Sequence, residues 1–285
     1  MSVKVITDSA CDLPQALVDE LNIGIVPLTI RIGATEYVDR VDLSPAEFWA
    51  LCAKSPALPE TAAPAPGAFE EAFRNAASEG HDGVVCINLS GGLSATLQAA
   101  QIAMAAVADT IEARVVDSRN VSIALGLMVL SAARAAQAGK STEDVAGQAQ
   151  DEAARTKLFA TFDTLDNLKK GGRIGGAQAF FGTMLSIKPI IELRDGVVEA
   201  ESRQRTRSKS LRYLADKVRE HGHVENLAVI HAECPDLDEF LDLLAPLYPR
   251  ADIVIGDVGA VIGAHAGPRA MGVSFQLPAG GPGGT

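Results

Sequence analysis

What the chain lacks narrows its identity first. Its four cysteines, Cys11, Cys52, Cys86 and Cys234, are scattered without CxxC spacing, which argues against a disulfide framework and a thiolate metal site. Reduced, buried thiols are expected instead. Positive charge is in deficit: 25 Lys and Arg against 36 Asp and Glu give a formal net charge of -11 and a pI near 4.9. A surface of that sign is not built to neutralise nucleic-acid phosphates or to dock on anionic lipid headgroups, so neither a nucleic-acid partner nor stable membrane insertion is expected. No stretch is apolar and uncharged for long enough to span a bilayer, and residues 1–20 show no basic leader followed by an apolar run. A soluble, cytoplasmic protein is the expectation. There is no internal repeat, no Gly-Lys-Ser/Thr after a glycine-rich loop and no GxGxxG, which moves nucleotide binding down the list.

What is present reads as α/β. With 285 residues and 47% hydrophobic content, the chain suits two packed domains rather than one minimal core. Short β-branched runs at Val3–Ile6, Ile23–Val26, Val84–Ile87 and Arg114–Val116 alternate with amphipathic stretches, the rhythm of a parallel sheet with helices on both faces. Helices are predicted at Pro14–Glu20 and in the alanine-rich stretches after Ser94 and Ser122. Four prolines between Ser55 and Gly67 predict a loop or linker over 55–67, without regular helix or central strand. A second region starts near Leu158, with strands at Leu158–Phe162, Ile187–Leu193, Leu227–His231 and Asp252–Ile255 and helices at Thr206–Glu220 and Asp236–Leu244. Asp195-Gly196 between strand-like residues predicts a hairpin. The expected organisation is a parallel-sheet domain over 1–157, a smaller α/β domain over 158–277 and a disordered Gly/Pro tail over 278–285.

Three segments carry candidate chemistry. In Ile87-Asn88-Leu89-Ser90-Gly91-Gly92-Leu93-Ser94-Ala95-Thr96 a strand runs through glycines into a helix start, where unpaired N–H groups and the hydroxyls of Ser94 and Thr96 could meet an anion. Capping of the helix by Ser94 is an equally good reading. Gly92-Leu93-Ser94-Ala95-Thr96 also approaches a nucleophile elbow, so a serine hydrolase with Ser94, His265 as base and Asp257 as orienter is an alternative, although no HGGG-like oxyanion segment accompanies it. The second segment, Gly263-Ala264-His265-Ala266-Gly267-Pro268-Arg269, places one histidine among turn formers and reads as a loop. Beside a carboxylate its protonated form would be favoured. In the third, Lys169-Lys170-Gly171-Gly172-Arg173, the lysines and glycines are explained by a helix C-terminus, which leaves Arg173 for a carboxylate or phosphate. The basic run Arg203, Arg205 and Arg207 is either solvated or a docking patch.

Together these segments resemble the DegV family of bacterial fatty-acid-binding proteins from Val3 to about Phe275. Ile6-Thr7-Asp8-Ser9-Ala10-Cys11-Asp12-Leu13-Pro14 is similar to the family's T-D-S-x-x-D-L-P. Thr61-Ala62-Ala63-Pro64-Ala65 is similar to T-S-x-P-S, Leu93-Ser94-Ala95-Thr96 to L-S-G-T, and Gly263 to Pro268 to G-T-H-T-G-P. Val116-Asp117-Ser118, Leu168 to Ile174 and Ile187 to Ile190 match in the same order. The resemblance implies two α/β domains with one long-chain fatty acid between them and no further cofactor or metal. It implies a non-catalytic carrier whose carboxylate ligands are Thr61, Ser94 and His265. Ala95 and Thr96 lie in the same binding segment, and Arg173 supports the histidine or a product phosphate. It further implies presentation of the carboxylate to a fatty acid kinase, docked through Arg203, Arg205 and Arg207. Ala62, Ala65, Gly91, Ala95, Ala264 and Ala266 depart from the pattern by thinning the polar shell, and Arg269 is expected to add a cation near it.

Overall fold

The computed structural model describes residues 2–55, 57–180 and 187–280. The first half contains β1 (Val3–Asp8), α1 (Gln15–Glu20), β2 (Gly24–Val26), β3 (Thr29–Ile32), β4 (Thr35–Val38), α2 (Pro45–Cys52), β5 (Glu60–Ala62), α3 (Pro66–Ser78), β6 (Gly83–Asn88), α4 (Thr96–Ala106), β7 (Glu112–Asp117), α5 (Ile123–Gln137) and α6 (Thr142–Arg155). The second half contains β8 (Thr156–Thr161), α7 (Asp166–Lys170), β9 (Lys188–Arg194), β10 (Val197–Gln204), α8 (Arg207–Glu220), β11 (Glu225–His231), α9 (Leu237–Leu244), β12 (Val254–Asp257), α10 (Ala260–Ala266) and β13 (Met271–Gln276).

The strands form a parallel sheet β2-β1-β6-β7, a mixed sheet β10-β9-β8-β13-β11-β12 and a small antiparallel sheet β4-β3-β5. All six residues of β6 are buried, as a strand covered on both faces requires. Alternation along the strands separates the two covers. Ile6, Val84 and Cys86 meet Phe69 and Phe73 of α3, whereas Val5, Val85 and Ile87 turn to the side of α5. In the mixed sheet, Phe159, Val229 and Phe275 pack under α8 and α9, while Leu158, Ala160 and Ile230 face the other way.

Helix α5 lies between the sheets. It packs against β1 and β6 on one side and β8, β11 and β13 on the other. Residues Ile123 to Leu130 are buried without a break, so the helix is apolar all round, as its double cover demands. Gly126 lets it sit against the Ser9–Cys11 turn, since a Cβ there would stand 2.8 Å from Cys11 O. One hydrophobic core therefore runs from β1 through α5 to β8 and β9.

The hairpin at Asp195-Gly196 is present, with φ of +51° and +81° at its two central residues, the geometry that matches the strand twist of β9 and β10. Three expectations change. The proline-rich stretch contains the edge strand β5, and Pro66 opens α3, where its missing N–H costs nothing. The histidine segment is a helix, α10, stopped by Gly267 at φ +75°. The second half is built on a mixed sheet whose interior strand β13 was not predicted. The expected tail 278–285 lies largely outside the described residues.

Among the described residues no helix is long and apolar enough to cross a membrane, and no group of three or more His, Cys, Asp or Glu side chains is placed to hold a metal ion. The four cysteines are unpaired; three are buried and Cys52 is half-buried.

Candidate functional site

A cavity lies between one face of the mixed sheet, with α10 beside it, and the segments that follow β6 and precede α5, enclosing about 930 Å³ of space between atoms with its solvent-open part included. Leu28, Leu89, Leu93 and Val121 line it from the first half of the chain, and Leu158, Phe162, Ile191, Val198, Ile230, Val261 and Met271 from the second. Against this apolar wall stand few polar groups: Thr61, Ser94, Ser122, Arg173 and His265.

Four of those five are brought together by four different elements. Edge strand β5 pairs Thr61 with Ile30, and the Thr61 hydroxyl lies 2.9 Å from His265 Nε2 on the last turn of α10. Arg173 follows α7. Its Nε donates to Leu93 O at 3.1 Å and its Nη1 to Gly171 O at 2.7 Å, which ties it to the residue before Ser94. Ser94 precedes α4; its Oγ accepts from Thr96 N–H at 3.3 Å and lies 2.9 Å from the buried Thr96 hydroxyl. Ser94 thus lines the cavity and meets one N–H of the helix start from the position before the N-cap. Ala95 is the exposed N-cap position of α4 and offers no side-chain bond.

Burial, reinforced by the Arg173 charge, lowers the pKa of His265 to about 4. In the free protein the imidazole is therefore neutral at physiological pH. With its proton on Nε2 it donates to Thr61 Oγ1, which leaves the threonine proton for a ligand oxygen. His265 Nδ1 is buried without a partner. It points at Gly171, where any Cβ would collide with it. The φ of Gly171 is an ordinary -75°, so close approach, not backbone conformation, calls for glycine there. Sequence reasoning explained that glycine as a helix stop and missed this approach, because nothing in the sequence places α7 beside α10.

The hydrolase constellation is not assembled. Ser94 is not at positive φ, unlike the strained serine of a nucleophile elbow, and its hydroxyl is bonded to Thr96. Asp257 pairs with His231 instead, 3.3 Å from its Nε2 across the parallel β11–β12 register. The basic run is also divided. Arg207 is bound bidentately by Asp236, at 2.7 and 3.2 Å, and donates to Arg269 O, which makes it part of the fold. Arg203 and Arg205 are exposed, with Arg203 over the Phe180 ring at 4.8 Å. Arg269 turns to Asp163 at 3.1 Å and is not on the cavity wall, so it does not replace the missing hydroxyls.

The family model described as "Uncharacterised protein, DegV family" matches residues 2–277. A DegV domain-containing protein of Streptomyces coelicolor is 38% identical over 276 residues, which are 95% of this chain and 97% of that protein. Among solved structures, a DegV family protein from Thermus thermophilus, described by its fatty acid binding, superposes with a TM-score of 0.89 at 31% identity over 98% of this chain and 100% of that one. A stearic acid-binding protein from Eubacterium ventriosum superposes at 0.82 with 25% identity, over 96% and 98% of the two chains. Length, fold and ordered motifs agree from one end of the match to the other, and the chain belongs to the DegV family.

Proposed function

We propose that this protein binds one long-chain fatty acid in the cavity between the two halves of the chain, with the carboxylate at Thr61, Ser94 and His265 and Arg173 beside them. The observation that carries the reading is the joining of a small polar cluster to an otherwise apolar cavity. Solved relatives described as fatty-acid-binding support it. Each buried methylene contributes ~0.8 kcal/mol, so a long chain supplies roughly 10 kcal/mol before ordering costs are met. The tail accounts for most of the affinity. The head-group donors offset the several kcal/mol that an unpaired buried carboxylate would cost. An anion beside His265 favours the imidazolium, so binding raises its pKa from about 4.

The protein acts as a carrier in the cytoplasm, and segments 1–157 and 158–277 are the two domains that hold the ligand between them. It presents the carboxylate to a fatty acid kinase, with the exposed Arg203 and Arg205 as docking contacts and Arg173 next to the oxygen that receives the phosphate. No general base is needed on the carrier, in keeping with a neutral His265 that has no carboxylate behind it. Native mass spectrometry of gently purified protein should show one fatty acid per chain. Protein that carries no lipid and takes up none on addition of a fatty acid would refute the reading.

A further inference from the structure

The opening motif contains Asp12, a carboxylate that the head-group chemistry does not use. It is 2% exposed and sits in the left-handed region at φ 50°, which aspartate tolerates. Its Oδ2 accepts from Ser122 Oγ at 2.6 Å, and its Oδ1 accepts from Gly259 N–H at 3.0 Å. Close by, Asp39 is also buried, and its Oδ2 has no hydrogen-bond partner among the described residues. Gly259 and Ala260 begin α10, and Gly259, having no side chain, cannot cap it. One of the N–H groups that every helix start leaves unpaired, that of Gly259, is here met by a carboxylate from the opposite end of the chain.

The surrounding backbone is shaped to admit Asp12. A Cβ on Gly259 would stand 2.8 Å from Asp12 Oδ1, and one on Gly256 would stand 2.7 Å from Asp12 O. At the other end of α10, Asn167 Nδ2 donates to Ala264 O at 3.3 Å. Ser122 lines the cavity at φ 57° and ψ -144°, a strained conformation for a residue with a Cβ, and its bond to Asp12 connects the same carboxylate to the cavity wall. From Gly259 to His265 the helix spans about 9 Å as one stiff rod. Register fixed at its start is therefore carried to the imidazole.

We propose that Asp12 is a positioning residue of the head-group site, holding the start of α10 so that His265 meets Thr61. This rests on the fatty-acid reading for its effect on affinity, but the geometry it asserts holds in the free protein as well. The test compares Asp12→Ala, Asp12→Asn and Phe73→Leu in the full chain. The last lies in the separate core under α3 and serves as a control for lost stability. Fatty-acid affinity is read by displacement of a fluorescent fatty acid, and the His265 ring by its nitrogen NMR shifts without ligand.

Asp12→Ala should weaken binding about tenfold, the scale of a lost hydrogen bond to a charged group, and should change the His265 ring signals. Asp12→Asn keeps an acceptor for Gly259 N–H and should restore both. Phe73→Leu should lose stability but neither affinity nor ring signals. Unchanged ring signals in Asp12→Ala, or an equal loss of affinity in Phe73→Leu, would overturn the proposal. Wild-type protein that binds no fatty acid would refute the proposed function instead, and the ring signals of the free variants would still decide the positioning role.

Discussion

At the scale of single residues, the pair Thr61 and His265 is the most exposed to test. Thr61 joins an edge strand, and its hydroxyl is the sole described partner of the imidazole. Thr61→Val keeps the shape and removes the hydroxyl. It should weaken fatty-acid binding by about tenfold, the usual scale for deleting one partner of a buried hydrogen bond to a charged group, with little change in thermal midpoint. Isothermal titration beside a melting curve separates the two; unchanged affinity would remove Thr61 from the head-group site. The residue pattern singled out Ser94, Arg173 and His265, as hydroxyl, guanidinium and imidazole groups near glycines, whereas Thr61 came only from the family resemblance. Their state was not legible. Without a ligand the histidine is held neutral by burial and by Arg173, and Arg207 is consumed by Asp236. Both outcomes depend on neighbours remote in the chain, which no local pattern records.

At the scale of elements, α10 shows where reading by local rules stops. Gly259, Gly263 and Gly267 bracket a seven-residue helix that reads as a loop, since glycine lowers helix propensity by about 1 kcal/mol against alanine. The glycines answer to packing. A Cβ on Gly263 would stand 2.6 Å from the Phe48 ring and 2.9 Å from Trp49, whose Nε1 donates to Val258 O just before the helix. Gly263→Ala therefore sets that gain in propensity against overpacking of about 1–3 kcal/mol, and overpacking should win. A lower thermal midpoint with weaker fatty-acid binding is expected, since displacing α10 displaces His265. A variant more stable than wild type would show that the contact with α2 yields easily. Strand β13 is the opposite case: Met271, Val273 and Phe275 alternate with Gly272, Ser274 and Gln276, a period-two signal carried by the sequence itself. The parallel strands of the first half were easier, because double cover makes them continuous apolar runs.

For the whole molecule, the titration of the buried groups sets a pH dependence whose sign can be worked out. Burial raises Asp8 from 3.8 to about 6 and Asp12 from 3.8 to about 7. Between those values the folded protein keeps protons that the unfolded chain has released. The stability each contributes is complete below 3.8 and is lost as pH rises through the folded value. His265 acts in the other direction. Its pKa falls from 6.5 to about 4, so its contribution is complete above 6.5 and is lost as pH falls toward 4. The three groups lie in one continuous structure, Asp12 being bonded to the start of the helix that carries His265, so each window should appear in global unfolding. Urea denaturation across this range should show Asp12→Asn gaining on wild type as pH rises from about 4 to 7 and levelling off above it. His265→Gln should gain on wild type only as pH falls below 6.5. Curves parallel to wild type for Asp12→Asn would mean that Asp12 titrates as it does in the unfolded chain. The burial that places a carboxylate at the start of α10 would then not carry the energetic cost that its surroundings imply.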